Sequence, residues 1–156
     1  MEGKLKDIRR LIGVFMIMLF VSGLTAIPIE TGLEHLSRLF PLGSRVGNWL
    51  DSVYFAIHDT NKRYPFLAYG YDWLAFAHFV LAILFIGPLR DPVKNKWVIE
   101  FGMIACALVV PFAIVAGYFR GIPFWWRLVD CSFGIIGIVP LYICLIKINN
   151  LEKIKR

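Results

Sequence analysis

Residues 97–119 read WVIEFGMIACALVVPFAIVAGYF, a run in which Glu100 is the only charged side chain. Wound as an α-helix at about 1.5 Å per residue it reaches about 34 Å, slightly more than the roughly 30 Å of a bilayer's hydrocarbon core. Inside lipid no water meets the backbone, so a crossing chain must satisfy its own amide groups. A nearly uncharged stretch of this length does so as a transmembrane helix.

Three further stretches meet the same test. Leu11 to Ile29 carry no charge and as a helix span about 28 Å. From about Tyr71 to Leu89 the only acidic or imidazole groups are Asp72 and His78. Residues 124–146 hold Arg127 and Asp130 and then run uncharged from Cys131 to Ile146. The sequence therefore predicts an all-α integral membrane protein: a four-transmembrane-helix bundle forming a single membrane domain over residues 1–156. The expected spans are about 11–29, 71–89, 97–119 and 124–146, with a loop over 30–70.

Composition agrees with that reading. The 156 residues are 58% hydrophobic and 18% charged, with mean hydropathy +0.67, whereas soluble domains average about 45–50% apolar and about 25% charged residues. A chain this short has too little interior to hide the surplus, which must face lipid. A soluble enzyme, a disordered chain, a collagenous chain and a disulfide scaffold are thereby excluded. The net charge of +6 does not imply a nucleic-acid partner, because the basic residues lie at the ends of apolar segments and not on one exposed face.

Lys4 to Arg10, Arg90 to Lys96 and Lys147 to Arg156 together carry eleven of the 17 Lys and Arg residues. By the positive-inside rule these segments are cytoplasmic, which predicts a multi-pass protein of the cell membrane with both termini inside and loop 30–70 outside. The basic start of the first span resembles a signal peptide, but its apolar stretch is long and no small-x-small site precedes Ile27 or Pro28, so an uncleaved helix is expected.

A loop of about 40 residues is too long to be structureless in a compact protein. In 47–58, Trp49, Val53 and Ile57 recur every four residues while Asp51 and Ser52 face away, the pattern of an amphipathic helix on a membrane surface. A second short helix is expected over Thr31 to Phe40, stopped by Pro41. Tyr54, Tyr64, Tyr69, Tyr71 and Trp73 fall where interfacial aromatic anchors belong. Ala113, Gly117 and Gly121 are spaced by four, the small-residue pattern that lets helix backbones approach closely. Pro28, Pro88, Pro111 and Pro140 fall one to each span, and the last two are placed to kink their helices. Cys106, Cys131 and Cys144 form no C-x-x-C pair and are expected to be small buried hydrophobes, not redox partners.

Chemistry in such a chain must come from ionisable groups in or beside the spans, because these are costly in lipid. In the predicted orientation Glu30, Asp72, His78, Arg120, Arg127 and Asp130 converge on the outer half, joined by His58 from the loop. Asp72, His78 and Asp130 are the candidate acid/base groups, since neighbouring carboxylates push their pKa values apart. Arg120, Arg127, His58 and Glu30 are the candidate substrate-binding groups, an Arg pair being suited to an anionic head group. The plainer reading is ion pairing: Arg127 with Asp130 three residues on, Asp72 with Arg120, and Glu100 with one of Arg90, Lys94 or Lys96. Asp72 and His78, six apart, project about 120° from one another. No metal site and no particular cofactor is indicated.

Three functions fit. One is an outward-facing polar pocket that binds or processes a lipid-like molecule, such as a phospholipid, an isoprenoid or a quinone. A second is an accessory or assembly subunit of a larger membrane complex, docking on a membrane protein partner or forming a homodimer. A third is a b-type haem protein, which needs two facing histidines; with only His35, His58 and His78 present, the loop would have to fold into the bundle. The plan of four spans with a carboxylate early in one helix resembles the emopamil-binding-protein-like sterol isomerases in outline alone. Their spaced motifs do not come into register with this sequence, so the resemblance carries no residue over, and the surroundings of Asp72 and Asp130 do not match the aspartate dyads of lipoprotein signal peptidases.

Overall fold

The computed structural model describes residues 2–41 and 43–155 and is helical throughout, with no strand among them. In order come α1 (Glu2–Ala26), α2 (Ile29–Ser37), α3 (Arg45–Arg63), a 3₁₀ turn (Pro65–Ala68), α4 (Tyr69–Leu84), α5 (Ile86–Arg90), α6 (Lys96–Phe119) and α7 (Phe124–Lys155). Four segments are long and apolar enough to cross a membrane: Gly3–Ala26, Pro65–Arg90, Lys96–Phe119 and Phe124–Lys153.

Prolines account for most of the differences from the expected boundaries. The first helix stops at Ala26, not Ile29, because Pro28 disfavours the helical conformation at Ile27 before it and turns the chain into α2. The second span is not one helix. It breaks at Phe85, between α4 ending at Leu84 and α5, because Pro88 has no N–H for the Leu84 carbonyl and its ring crowds that same carbonyl. Pro111 and Pro140, by contrast, lie inside helices that continue past them.

The chain divides into two compact units, Met1–Ile17 with Ala82–Arg156, and Met18–Leu81. In the first, α6 and α7 pack as an antiparallel hairpin. Along it Gly117 faces Arg127, Cys106 faces Gly134 and Gly137, Gly102 faces Leu141, and Lys96 reaches Glu152. Close approach is possible because a Cβ on Gly134 would overlap the carbonyl oxygen of Cys106. On α7 the fully buried positions Leu141, Cys144, Ile148 and Leu151 recur at three and four residues, one face of a helix. Ile8, Ile12 and Phe15 form the matching buried face of α1. There the Cys144 thiol lies 3.7 Å from the Ile8 carbonyl and the rings of Phe15 and Phe85 stand 4.8 Å apart.

Ion pairs close one end of this unit: Lys147 with Asp7 at 2.9 Å and Lys96 with Glu152 at 3.1 Å. Arg9 donates to the Arg90 carbonyl at 3.0 Å, and the Asn95 amide holds the carbonyls of Gly87 and Asp91.

In the second unit, the end of α1 crosses α4 at Gly23, where an added Cβ would lie 2.8 Å from the His78 Cβ and 3.0 Å from the Ala75 carbonyl. Phe20 and Phe79 pack at 5.0 Å beside that crossing. α2 and α3 form a second hairpin. α3 starts at Arg45 because the Ser44 hydroxyl accepts the Gly47 amide N–H at 3.0 Å, an N-cap. It ends at Arg63, five residues beyond the expected His58, where Pro65 restricts Tyr64 to a non-helical conformation.

Candidate functional site

The second unit carries an open groove of about 220 Å³ on the first turns of α4, lined by Tyr69, Asp72, Trp73 and Phe76. These positions share one helix face, since residues three and four apart are neighbours on an α-helix. The three rings stand in an edge-to-face row, Tyr69 to Trp73 at 5.8 Å and Trp73 to Phe76 at 5.5 Å. Each ring is more than half exposed, at 62%, 55% and 53% in chain order. Asp72 is exposed among them, and no ion pair engages it among the described residues of its unit. It sits in the first turn of α4.

His78 is not part of the groove. Its Nδ1–H donates to the Leu74 carbonyl at 2.8 Å, and its Cβ lies against Gly23. The projection of about 120° between Asp72 and His78 is thus preserved, and no bend of α4 brings the two onto one centre.

Glu30 and His58, both expected at a substrate, bind each other. His58 Nδ1 lies 2.5 Å from one Glu30 oxygen, and the Asn61 amide donates to the other at 3.0 Å. The Tyr54 ring stacks on His58 at 5.8 Å. These contacts clasp α2 to α3. The hydrogen bonds from Asn61 and His58 hold the Glu30 carboxyl below the ordinary glutamate range.

In the first unit, Arg127 does not turn to Asp130. Its Nε–H donates to the Ile122 carbonyl at 2.9 Å, its Nη1 lies 3.4 Å from the Ile114 carbonyl, and the guanidinium stands 5.5 Å from the centre of the Phe124 ring. The turn between α6 and α7 explains why. Gly121 has φ +67°, the Ile122 N–H reaches the Gly117 carbonyl and the Gly121 N–H reaches the Tyr118 carbonyl. That is a Schellman motif, which requires a left-handed residue after the helix. Of the three small residues expected on one helical face, Gly117 lies against the Arg127 side chain, Ala113 is half-buried on α6, and Gly121 lies beyond the end of α6. Arg120 caps α6 through its backbone N–H and is exposed.

Asp130 is half-buried on α7, and Glu100 is exposed on α6; neither has an ion pair among the described residues of the first unit. Two of the three cations expected for Glu100 are engaged elsewhere, Lys96 with Glu152 and Lys94 with Asp91. No three His, Cys, Asp or Glu among the described residues stand together as a metal site would need. Sequence reasoning placed Tyr69 and Trp73 at an interface but missed that Phe76 joins them around Asp72; the spacing of three and four residues was the available signal. No protein-family model, no curated protein and no solved structure matches this chain.

Proposed function

We propose that this chain is a multi-pass protein of the cell membrane that binds a lipid-like amphiphile on the α4 face of Tyr69, Asp72, Trp73 and Phe76. The observation that carries the reading is the open, almost wholly apolar groove bordered by the exposed rings of Tyr69, Trp73 and Phe76 and by Asp72. Asp72 lies in the first turn of α4, toward the start of the candidate span Pro65–Arg90, and in this reading belongs at head-group depth. Both termini are cytoplasmic in this reading, by the distribution of Lys and Arg, and the groove opens to the outer leaflet. α3, whose Leu50 is buried, lies along that surface as an amphipathic helix in this reading.

Native mass spectrometry of the gently extracted protein, with identification of retained molecules, tests the proposal. A discrete lipid kept by the wild type and lost on Trp73→Ala supports it. Bulk lipid alone, with a stoichiometric protein partner, refutes it. A reporter at the C-terminus that is active only outside the cell would refute the orientation.

A second reading, an assembly subunit, rests on Asp130. A half-buried carboxylate within a span and without an ion pair in its unit is costly in lipid, and a basic residue on a partner helix would relieve that cost. Loss of a co-purifying membrane partner on Asp130→Asn would favour it, and unchanged co-purification would sink it.

A further inference from the structure

We infer that Arg9 and Arg90 together bind the phosphate of a net-negative phospholipid, at the end of the first unit where α1 and α6 begin and α7 ends. The surface is a different one from the α4 groove and does not depend on it.

The distribution of charge points there. Residues 1–10, 90–100 and 147–156 hold eleven Lys and Arg against five acidic residues, and the rest of the chain holds six of each. The whole net charge of +6 therefore belongs to these three segments. The structure brings them to one end of the unit, through Lys147 on Asp7 at 2.9 Å, Lys96 on Glu152 at 3.1 Å and the Arg9 Nη2 donating to the Arg90 carbonyl at 3.0 Å. Asp7 and Glu152 are thus neutralised, as is Asp91, which lies 3.7 Å from the Lys94 ammonium. Arg9 and Arg90 are exposed and have no ion pair among the described residues.

One hydrogen bond makes a site of them. It fixes the Arg9 guanidinium beside the backbone from which the Arg90 side chain leaves. A guanidinium carries five N–H donors. The bond to the carbonyl uses one on Arg9, and no hydrogen bond among the described residues uses those of the Arg90 side chain. Two like charges rooted this close repel each other, and an anion between them relieves the repulsion. A phosphate suits the position because two of its oxygens match the planar fork of a guanidinium. The adjacent carboxylate does not fill it: Asp91 turns back on its own loop, where Oδ1 accepts the Lys94 amide N–H at 3.1 Å.

Depth indicates a lipid as the source of that phosphate. The Asn95 amide holds the carbonyls of Gly87 and Asp91, which ties the end of α5 to the start of α6. Lys96 opens the candidate span Lys96–Phe119, so Arg90, and with it the Arg9 guanidinium, stands at the boundary of the hydrocarbon core. Lipid phosphates lie at that boundary, and basic sites beside span ends recognise anionic head groups.

The test uses the full chain in nanodiscs of equimolar phosphatidylglycerol and phosphatidylcholine with identical tails, with retained lipid read by native mass spectrometry. Phosphatidylcholine carries the same phosphate beside its own cation, so the ratio reports net head-group charge. The wild type is expected to keep phosphatidylglycerol about tenfold over phosphatidylcholine, and Arg90→Gln should lower that ratio about fivefold, the effect of one basic residue near the surface. Arg90→Gln leaves in place the carbonyl that holds Arg9, and Arg9→Gln should lower the ratio as much. Lys153→Gln removes an exposed cation of the same end and should leave the ratio unchanged. A wild-type ratio near one, or an unchanged ratio in Arg90→Gln, overturns the inference. So does an equal fall in Lys153→Gln, which would mean diffuse attraction and no site. A preference abolished by excess inorganic phosphate, but not by chloride of equal ionic strength, would assign the site to free phosphate and also overturn it. None of these variants touches the α4 groove, so their failure leaves the reading of that groove to Trp73→Ala.

Discussion

Replacing Gly134 by alanine sets two effects of opposite sign against each other, and the structure says which wins. Alanine is favoured over glycine in a helix interior by about 1 kcal/mol, so at an open helical position the change is stabilising. At Gly134 the new methyl would overlap the backbone carbonyl of Cys106 and approach the Val109 Cβ to 3.1 Å. The carbonyl belongs to the α6 backbone and cannot rotate away, so α6 and α7 must separate. Overpacking of this kind costs roughly 1–3 kcal/mol, and in lipid no hydrophobic force draws the helices back, because their association depends on close packing. The net expectation is a loss of about 1 kcal/mol in Gly134→Ala, set by the overpacking and propensity terms together. Gly13→Ala serves as the control: a Cβ there meets nothing within 4 Å, and the variant should gain up to about 1 kcal/mol. Reversible unfolding in mixed micelles measures both. If Gly134→Ala proves as stable as Gly13→Ala, α6 and α7 do not approach each other at Cys106 and the account of the hairpin is wrong.

Arg127→Ala should destabilise the α6–α7 hairpin by about 1–3 kcal/mol, the usual cost of leaving buried hydrogen-bonding groups without their charged donor; unfolding with unchanged stability and altered lipid retention would instead return Arg127 to the substrate. The α2–α3 clasp should weaken in acid. Because its folded-state carboxyl lies below the ordinary value, Glu30 contributes stability above the unfolded pKa, near 4.5, that is lost as pH falls through the folded one. Hydrogen exchange of 29–63, corrected for intrinsic rates, should show that acid loosening in the wild type and not in Glu30→Gln. Pro88→Ala should restore the hydrogen bond to the Leu84 carbonyl and carry α4 through Phe85, visible as helical carbon chemical shifts at residues 84–86; shifts that stay non-helical would mean that packing of Phe85, and not the proline, sets the break.

The spans were legible in the sequence because hydropathy over about 20 residues is a long signal that local detail cannot erase. Residues 97–119 and the start at Phe124 agree with the structure to within a residue. Other boundaries were misplaced where a proline acts at a distance of one or four residues, as Pro28 does on Ile27 and Pro88 on Leu84. The close helix contacts were harder to see. Spacing by four selected Ala113, Gly117 and Gly121, yet the contacts fall at Gly23, Gly102, Gly134 and Gly137 as well. A glycine's neighbour across an interface leaves no trace in its own helix. Gly121 has a different role altogether, because a left-handed cap and a packing glycine are the same letter.

The partners of the candidate site residues were hidden for a related reason. Sequence position puts charges at a depth, but it does not say which partner each has found. Of the acidic groups considered, Glu30 is held by His58 and Asn61, and Asp7 and Glu152 are held by lysines. Arg127, the most attractive anion ligand on paper, donates to main-chain carbonyls. With its Nε and Nη1 given to main-chain carbonyls, Arg127 is a poorer match for an anionic head group. Of the groups weighed as candidates, Asp72, Glu100, Asp130 and Arg120 have no ion pair among the described residues of their units. Asp72 is a lining residue of the α4 groove with Tyr69, Trp73 and Phe76, whose rings supply nearly all of its surface.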